Sequence, residues 1–149
     1  MPVTTAAANS AVCMLLEADE LATATGGSWE TGFPAHSGAV VFGECNYAAG
    51  DEQSAFFYTM VWTDSYLDGQ GIPGGIDEQW SQLRAQFSET GAQVEAGDSA
   101  YVSVTDDLSM FAMRVGNTVV QGIGSSSTEG IAMDQAAMTA IARTIAEKL

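Results

Sequence analysis

The stretch "AYVSVTDDLSMFAMRVGNTVVQGI", residues 100–123, decides the fold because it holds three apolar segments separated by short turns. Asp106 and Asp107 separate the first segment from the second, and Gly116 separates the second from the third. Short segments rich in β-branched and aromatic residues, joined by such turns, are typical of neighbouring antiparallel strands. "AQVEA" (92–96) precedes them across a Gly97-Asp98 turn, so this half of the chain predicts an antiparallel meander.

Two further strands are predicted upstream, "GAVVFGECNYA" (38–48) and "SAFFYTMVWT" (54–63). The second is dense in β-branched and aromatic residues, and the short polar stretch between the two segments favours a hairpin. Alternation along the first strand places Cys45 on the same face as Val41 and Tyr47.

Three segments have helical patterns. The first, 13–25, is followed by Gly26 and Gly27, which indicate its end. The third runs from about 131 to 149. The second carries apolar residues at helical spacing and follows a breaker-rich loop, 64–75. These apolar residues are Ile76, Trp80, Leu83 and Phe87.

The order α-β-β-α-β-β-β-β-α, with short links, predicts an α+β fold in which helices cover an antiparallel sheet. The composition of residues 1–12 is small and polar, which predicts a flexible leader before a single domain over 13–149.

The net charge of −15 arises from a shortage of basic residues, since the chain has 19 acidic residues and only four lysines and arginines. Without a basic patch, binding to nucleic acid or to anionic lipid is electrostatically opposed. No apolar run approaches the roughly 18 residues that a membrane-spanning helix requires.

The two cysteines, Cys13 and Cys45, invite a disulfide because their number is even in a small domain. Two buried free thiols and a reactive cysteine are the alternatives. The cysteines do not form a C-x-x-C motif and the chain has one histidine, so the ligands of a zinc site and the spacing of a redox pair are missing. A disulfide would place the protein in an oxidising compartment.

The chain resembles the uncharacterised lipoproteins of actinobacterial cell envelopes. The resemblance rests on "CMLLEADEL" (13–21), "CNY" (45–47), "VEAGDSAYVS" (94–103) and "MRVGNTVV" (113–120), followed by an alanine-rich terminal helix. It implies export and tethering through a lipid-modified cysteine upstream of this sequence, and it transfers no catalytic residue. Glu17 stands where this family more often has a serine or threonine helix cap, which leaves the start of the first helix open.

Trp29, Phe33, Tyr66 and Ile72 form the predicted binding surface, because they are apolar residues in segments whose pattern predicts loops. The alternative is that these side chains pack over the edge of the sheet. The resulting prediction is an extracytoplasmic, envelope-associated domain without enzymatic activity that binds a protein partner or a small apolar ligand.

Two other functions are weighed against binding. His36, the single histidine, would be the base of an extracytoplasmic hydrolase, although nothing identifies a nucleophile beside it. A structural stalk is the other alternative. No cofactor or metal is predicted, since the acidic residues around the 64–75 loop lack the spacing of a calcium loop. A calcium site near Asp64 and Asp68 is left open, and Asp77 is expected to cap the following helix.

Overall fold

The structure, a computed structural model, describes residues 11–34, 42–50 and 54–149. In chain order its elements are α1 (Ala18–Thr25), β1 (Phe33–Pro34), β2 (Gly43–Ala49), β3 (Ala55–Thr63), α2 (Asp64–Gly69), α3 (Gly75–Ala85), β4 (Gly91–Val94), β5 (Ser99–Val104), β6 (Ser109–Val115), β7 (Thr118–Ser126) and α4 (Gln135–Ala146). The strands form a seven-stranded sheet in the order β1-β2-β3-β7-β6-β5-β4, with every neighbouring pair antiparallel. The predicted α+β fold is confirmed.

The meander and the hairpin form where the sequence predicts them. Val115 pairs with Thr118 across a two-residue turn, in which Gly116 adopts φ 58°, the left-handed conformation that such turns require. The β2–β3 pairing is antiparallel over the whole of β2, which confirms the hairpin. The strand β3 then pairs with β7 and so joins the hairpin to the meander.

Helices α1 and α4 cover one face of the sheet, which we call the closed face. Leu21 of α1 and Met138 and Ile141 of α4 are fully buried in the core against this face. Phe111 fills its centre, and Gly122, its partner on β7, makes room for the ring: a Cβ at Gly122 would lie 2.2 Å from Phe111 Cε1.

The segment before α1 is fixed to the closed face at two points. Cys13 and Cys45 form a disulfide, as predicted. The Tyr47 hydroxyl donates to the Leu16 carbonyl at 2.6 Å, and burial of this phenol, with the nearby Glu20 charge, raises the pKa of Tyr47 and keeps it protonated. Val12 is only 1% exposed, so the boundary of the predicted leader is wrong: the packed domain includes residue 12. Residues 1–10 lie outside the described residues.

The first and last helices are shorter than predicted. Helix α1 begins at Ala18, after the cap Glu17, whose backbone N–H donates to Glu20 Oε1 at 2.9 Å. Helix α4 begins after Asp134, whose carboxylate accepts the Ala137 N–H at 2.8 Å. Each start therefore lies at a residue that exchanges a capping hydrogen bond with the first turn of its helix.

An ion pair between Glu20 and Lys148 joins α1 to the C-terminal end of the chain. Burial of Glu20 opposes its ionisation, but the hydrogen bonds from Lys148 and from the Glu17 N–H outweigh this effect and hold the pKa of Glu20 below its usual value. The pair therefore holds together two segments that both cover the closed face.

The 64–75 segment, predicted as a loop, contains helix α2. The Thr63 side chain caps this helix by accepting the Tyr66 N–H at 3.1 Å, and the side chain of Leu67, within the helix, is buried. Because the segment is rich in glycine and aspartate, its composition does not predict this six-residue helix, which is held by the Thr63 cap and by the burial of Leu67.

Helix α3 lies on the other face of the sheet. Its apolar stripe is buried, as predicted, and meets Trp62, Ala112 and Val119 of the sheet. The stripe consists of Ile76, Trp80, Leu83 and the following Phe87. Trp80 also packs against Tyr101, with ring centroids 6.2 Å apart.

Replacing Trp80 with alanine is expected to lower the free energy of unfolding by about 3 to 5 kcal/mol, because it leaves a large cavity under α3. Ser81→Ala, on the exposed side of the same helix, should change it by less than about 0.5 kcal/mol. Urea denaturation followed by circular dichroism measures both values. Equal effects of the two substitutions would contradict the packing of α3.

Reducing the disulfide is expected to lower the free energy of unfolding by about 3 to 4 kcal/mol, because the 32-residue separation of Cys13 and Cys45 closes a long loop in the unfolded chain. Intact mass after alkylation, with and without reductant, reports the bridge. Two alkylated thiols in the denatured, unreduced protein would contradict it.

Candidate functional site

The helices on the second face cover it incompletely. Helix α3 has 11 residues, so it spans about 16 Å, whereas seven strands extend over about 29 Å. It packs on β6 and β7, and α2 packs on β3 near the end where that strand leads into the helix. Partly exposed apolar side chains lie on the rest of the second face, on β1 and β3 and on the adjoining parts of β6 and β7.

Five of these side chains share one sheet face, with Asn46 between Phe33 and Tyr58 and with Met110 bordering the cluster under α3, and we call them the open strip: Phe33, Phe56, Tyr58, Met110 and Ile123. The register connects them, since Phe33 pairs with Asn46, Asn46 with Tyr58, Tyr58 with Ile123 and Ile123 with Met110. Paired residues of antiparallel strands share a face, and Phe56 joins it two residues before Tyr58. Phe33 is 48% exposed and Phe56 is 42% exposed, while the other three are half-buried.

A β-bulge turns Phe33 towards the open strip. Trp29 pairs with Ala49, and the Glu30 N–H donates to the Ala48 carbonyl at 2.9 Å, yet the next pair is Phe33 with Asn46. Two residues therefore stand opposite Tyr47, one more than a regular ladder allows. Without the extra residue, Phe33 would face the closed side.

Glycine at position 32 makes this bulge fit. A Cβ there would lie 2.5 Å from Tyr47 Cε2 and 2.8 Å from Cys45 Sγ. The edge strand is therefore seated directly on the disulfide and the Tyr47 ring, and the features that fix the closed face also position the open strip.

A buried carboxylate lies beneath the open strip. Glu44 of β2 is 2% exposed, and the Tyr58 hydroxyl donates a hydrogen bond to its Oε1 atom. A buried carboxylate requires such partners because desolvation without them is costly. The bond fixes the orientation of the Tyr58 ring, so the centre of the strip is held in place.

Of the four residues predicted to form a binding surface, only Phe33 belongs to the open strip. Trp29 packs in the core, in line with the alternative weighed for these residues: its side chain is 7% exposed, and its indole N–H donates to Thr25 Oγ1 at 2.9 Å. Tyr66, on α2, is half-buried with its ring edge-on to Phe42. Ile72 is 36% exposed in the turn after α2. Binding by these last two residues stays a prediction.

Asp64 and Asp77, two of the acidic residues near α2 and α3, have structural partners. Asp64 Oδ1 accepts the Ile76 N–H at 3.1 Å, so Asp64 performs the capping role predicted for Asp77. That prediction is wrong, because Asp77 lies within the first turn of α3 and pairs with Arg114 at 2.7 Å. Within the described ranges, no group of three or more potential metal ligands occurs. His36 falls outside those ranges.

Two surface hollows lie away from the open strip. One, of about 420 Å³, runs beside the disulfide and is lined by residues 13, 14 and 16–19 and by Thr31 and Gly32. The other, of about 200 Å³, lies at the β5–β6 turn, where Asp106, Asp107 and several hydroxyl groups line it. Neither hollow includes a residue of the open strip.

Comparisons of the chain with protein-family models, with curated proteins and with solved structures give no match. The resemblance to actinobacterial envelope lipoproteins therefore stays a prediction. In the part of the chain that the structure describes, no helix has the length and apolar character needed to cross a bilayer.

Two substitutions distinguish the core aromatics from those of the open strip. Trp29→Ala is expected to cost about 3 to 5 kcal/mol of unfolding free energy, because the indole is buried and hydrogen-bonded. Phe56→Thr, which keeps β-propensity, should cost about 1 kcal/mol or less. Chemical denaturation of both variants measures the difference, and a larger loss for Phe56→Thr would show that the open strip is core.

Proposed function

We propose that this chain is an extracytoplasmic, envelope-associated domain without enzymatic activity that binds a protein partner through the open strip. One observation carries the proposal: Phe33 and Phe56 are about half exposed beside three half-buried apolar side chains on a single sheet face. Adjacent exposed aromatic side chains are typical of protein interfaces, where they supply large contact areas at low entropic cost.

The shape of the surface favours a protein over a small apolar ligand. The open strip follows neighbouring strands, so its side chains project from a sheet face, whereas small apolar ligands are usually enclosed in concave pockets. A partner that lays an extended segment or a helix across the strands could contact Phe33, Phe56 and Tyr58 together. The hydrogen bond from Tyr58 to Glu44 supports this arrangement, since it orders the central ring before binding.

Two features support the proposed location. A disulfide such as Cys13–Cys45 is characteristic of oxidising, extracytoplasmic compartments. The resemblance to envelope lipoproteins points to the same place and adds a lipid anchor, through which the domain would be held at the membrane. The excess of acidic residues supports a protein partner over nucleic acid.

Photo-cross-linking tests the proposal. The photoreactive residue p-benzoylphenylalanine replaces Phe56 in one sample and Val104, which is equally exposed at 42% on the closed-face side of β5, in a control sample. Each is irradiated in an envelope extract of the source organism. We expect a discrete cross-linked product from position 56 and none from position 104.

Competition makes this experiment specific. Excess wild-type protein should abolish the product, whereas the Phe33→Thr/Phe56→Thr double variant should not, because it lacks the aromatic contacts. If the double variant competes as well as the wild type while remaining folded, the open strip is not the binding surface. If position 56 gives no product, a structural role is favoured instead.

A further inference from the structure

The charges of this chain are distributed unevenly along its sequence. Residues 1–83 contain eleven aspartates and glutamates and no lysine or arginine, and the four basic residues all occur from Arg84 onwards. Three of the five side chains in the open strip, Phe33, Phe56 and Tyr58, come from the segment without basic residues. Whether this imbalance reaches the strip depends on which acidic side chains the fold places beside it.

One acidic side chain lies at the border of the open strip. Glu30 follows Trp29, whose side chain is in the closed-face core, so alternation directs Glu30 to the opposite face. Its N–H bonds to Ala48, the partner of Phe56, which places Glu30 in the same row as Phe56. Glu30 is exposed, so its carboxylate is accessible to a partner.

Three of the four basic residues in the described chain have partners away from Glu30. Arg114, on β6, pairs with Asp77 of α3 at 2.7 Å. Arg143 donates to the Glu95 carbonyl at 2.7 Å, and Lys148 pairs with Glu20. Arg84 is exposed on α3, which packs over β6 and β7. None of the four lies in β1, β2 or β3, and Arg114, on the strand that supplies Met110, is paired with Asp77.

We infer that the partner segment bound by the open strip is cationic and carries alternating basic and apolar side chains. This inference rests on the proposed function and names the chemistry of its partner. Apolar side chains would cover Phe33 and Phe56, while lysine or arginine side chains would reach Glu30 and the aromatic ring faces, which attract cations. The negative net charge of the whole chain would also accelerate association with such a segment and oppose acidic competitors.

Three eight-residue peptides with blocked ends test this inference: alternating Lys-Phe, alternating Gln-Phe and alternating Glu-Phe. Each is titrated into the oxidised, ¹⁵N-labelled full chain, and the shifted amide signals give both the affinity and the location. We expect Lys-Phe to shift amides of β1, β2 and β3 and to bind about 10-fold more tightly than Gln-Phe at low salt. Glu-Phe should be the weakest.

Matched variants separate a specific contact from general attraction to an acidic protein. Glu30→Gln should weaken Lys-Phe binding about threefold and leave Gln-Phe binding unchanged. Glu147→Gln removes the same charge at the end of α4, which covers the closed face, and should change neither. Equal weakening by both substitutions would show general attraction only and would overturn the inference.

The outcomes also separate this inference from the proposed function. If Gln-Phe binds to β1, β2 and β3 as tightly as Lys-Phe, the cationic partner is wrong and the binding surface stands. If Phe56→Thr leaves the binding of every peptide unchanged, or if no peptide shifts these strands, the binding surface is wrong and the inference fails with it.

Discussion

The constraint on which this structure depends is the unequal covering of the two faces of its sheet. Seven antiparallel strands present two apolar faces, and each must be buried or remain as exposed surface. Helices α1 and α4, with the segment before α1, bury the closed face. On the second face, α3 and the short helix α2 bury a separate, smaller cluster around Trp62, Trp80 and Val119. The open strip lies at the other end of that face.

The disulfide and the Tyr47 hydrogen bond, which fix the N-terminal segment, link the closed face to the open strip. The disulfide and the Tyr47 hydroxyl hold residues 13–16 on the closed face, and Gly32 packs on the same two side chains. The bulge at Gly32 determines that the Phe33 side chain points to the second face. The residues that bury the closed-face core therefore also expose Phe33 on the open strip. A change in the disulfide would therefore affect both stability and the proposed surface.

The strand pattern, the hairpins, the buried stripe of α3 and the disulfide could all be predicted from the sequence, because each depends on local periodicity, turn residues or cysteine number. Trp29 could not be placed, since its burial depends on pairing with Ala49 and on a hydrogen bond to Thr25. Helix α2 could not be predicted from the sequence for a similar reason, because a helix of six residues is too short to show apolar periodicity.

The open strip itself is almost invisible in the sequence. Phe56 and Tyr58 lie in the most apolar strand, whose composition predicts burial on both faces. Their exposure follows from the limited length of α3 and from which strands it crosses, and both depend on the tertiary arrangement. The one available signal is that a single helix of about 11 residues is predicted between the hairpin and the meander, which is too short to cover seven strands.

Hydroxyl-radical footprinting of the oxidised wild-type chain tests the central claim most directly, because Phe56 and Phe57 are adjacent, have the same intrinsic reactivity and point to opposite faces. Phe56 is 42% exposed, whereas Phe57 is fully buried. Tandem mass spectrometry should therefore find rapid oxidation of Phe56 and Phe33, with Phe57 and Phe111 protected. Equal protection of Phe56 and Phe57 would show that the second face is sealed, and it would contradict an exposed binding surface on this sheet.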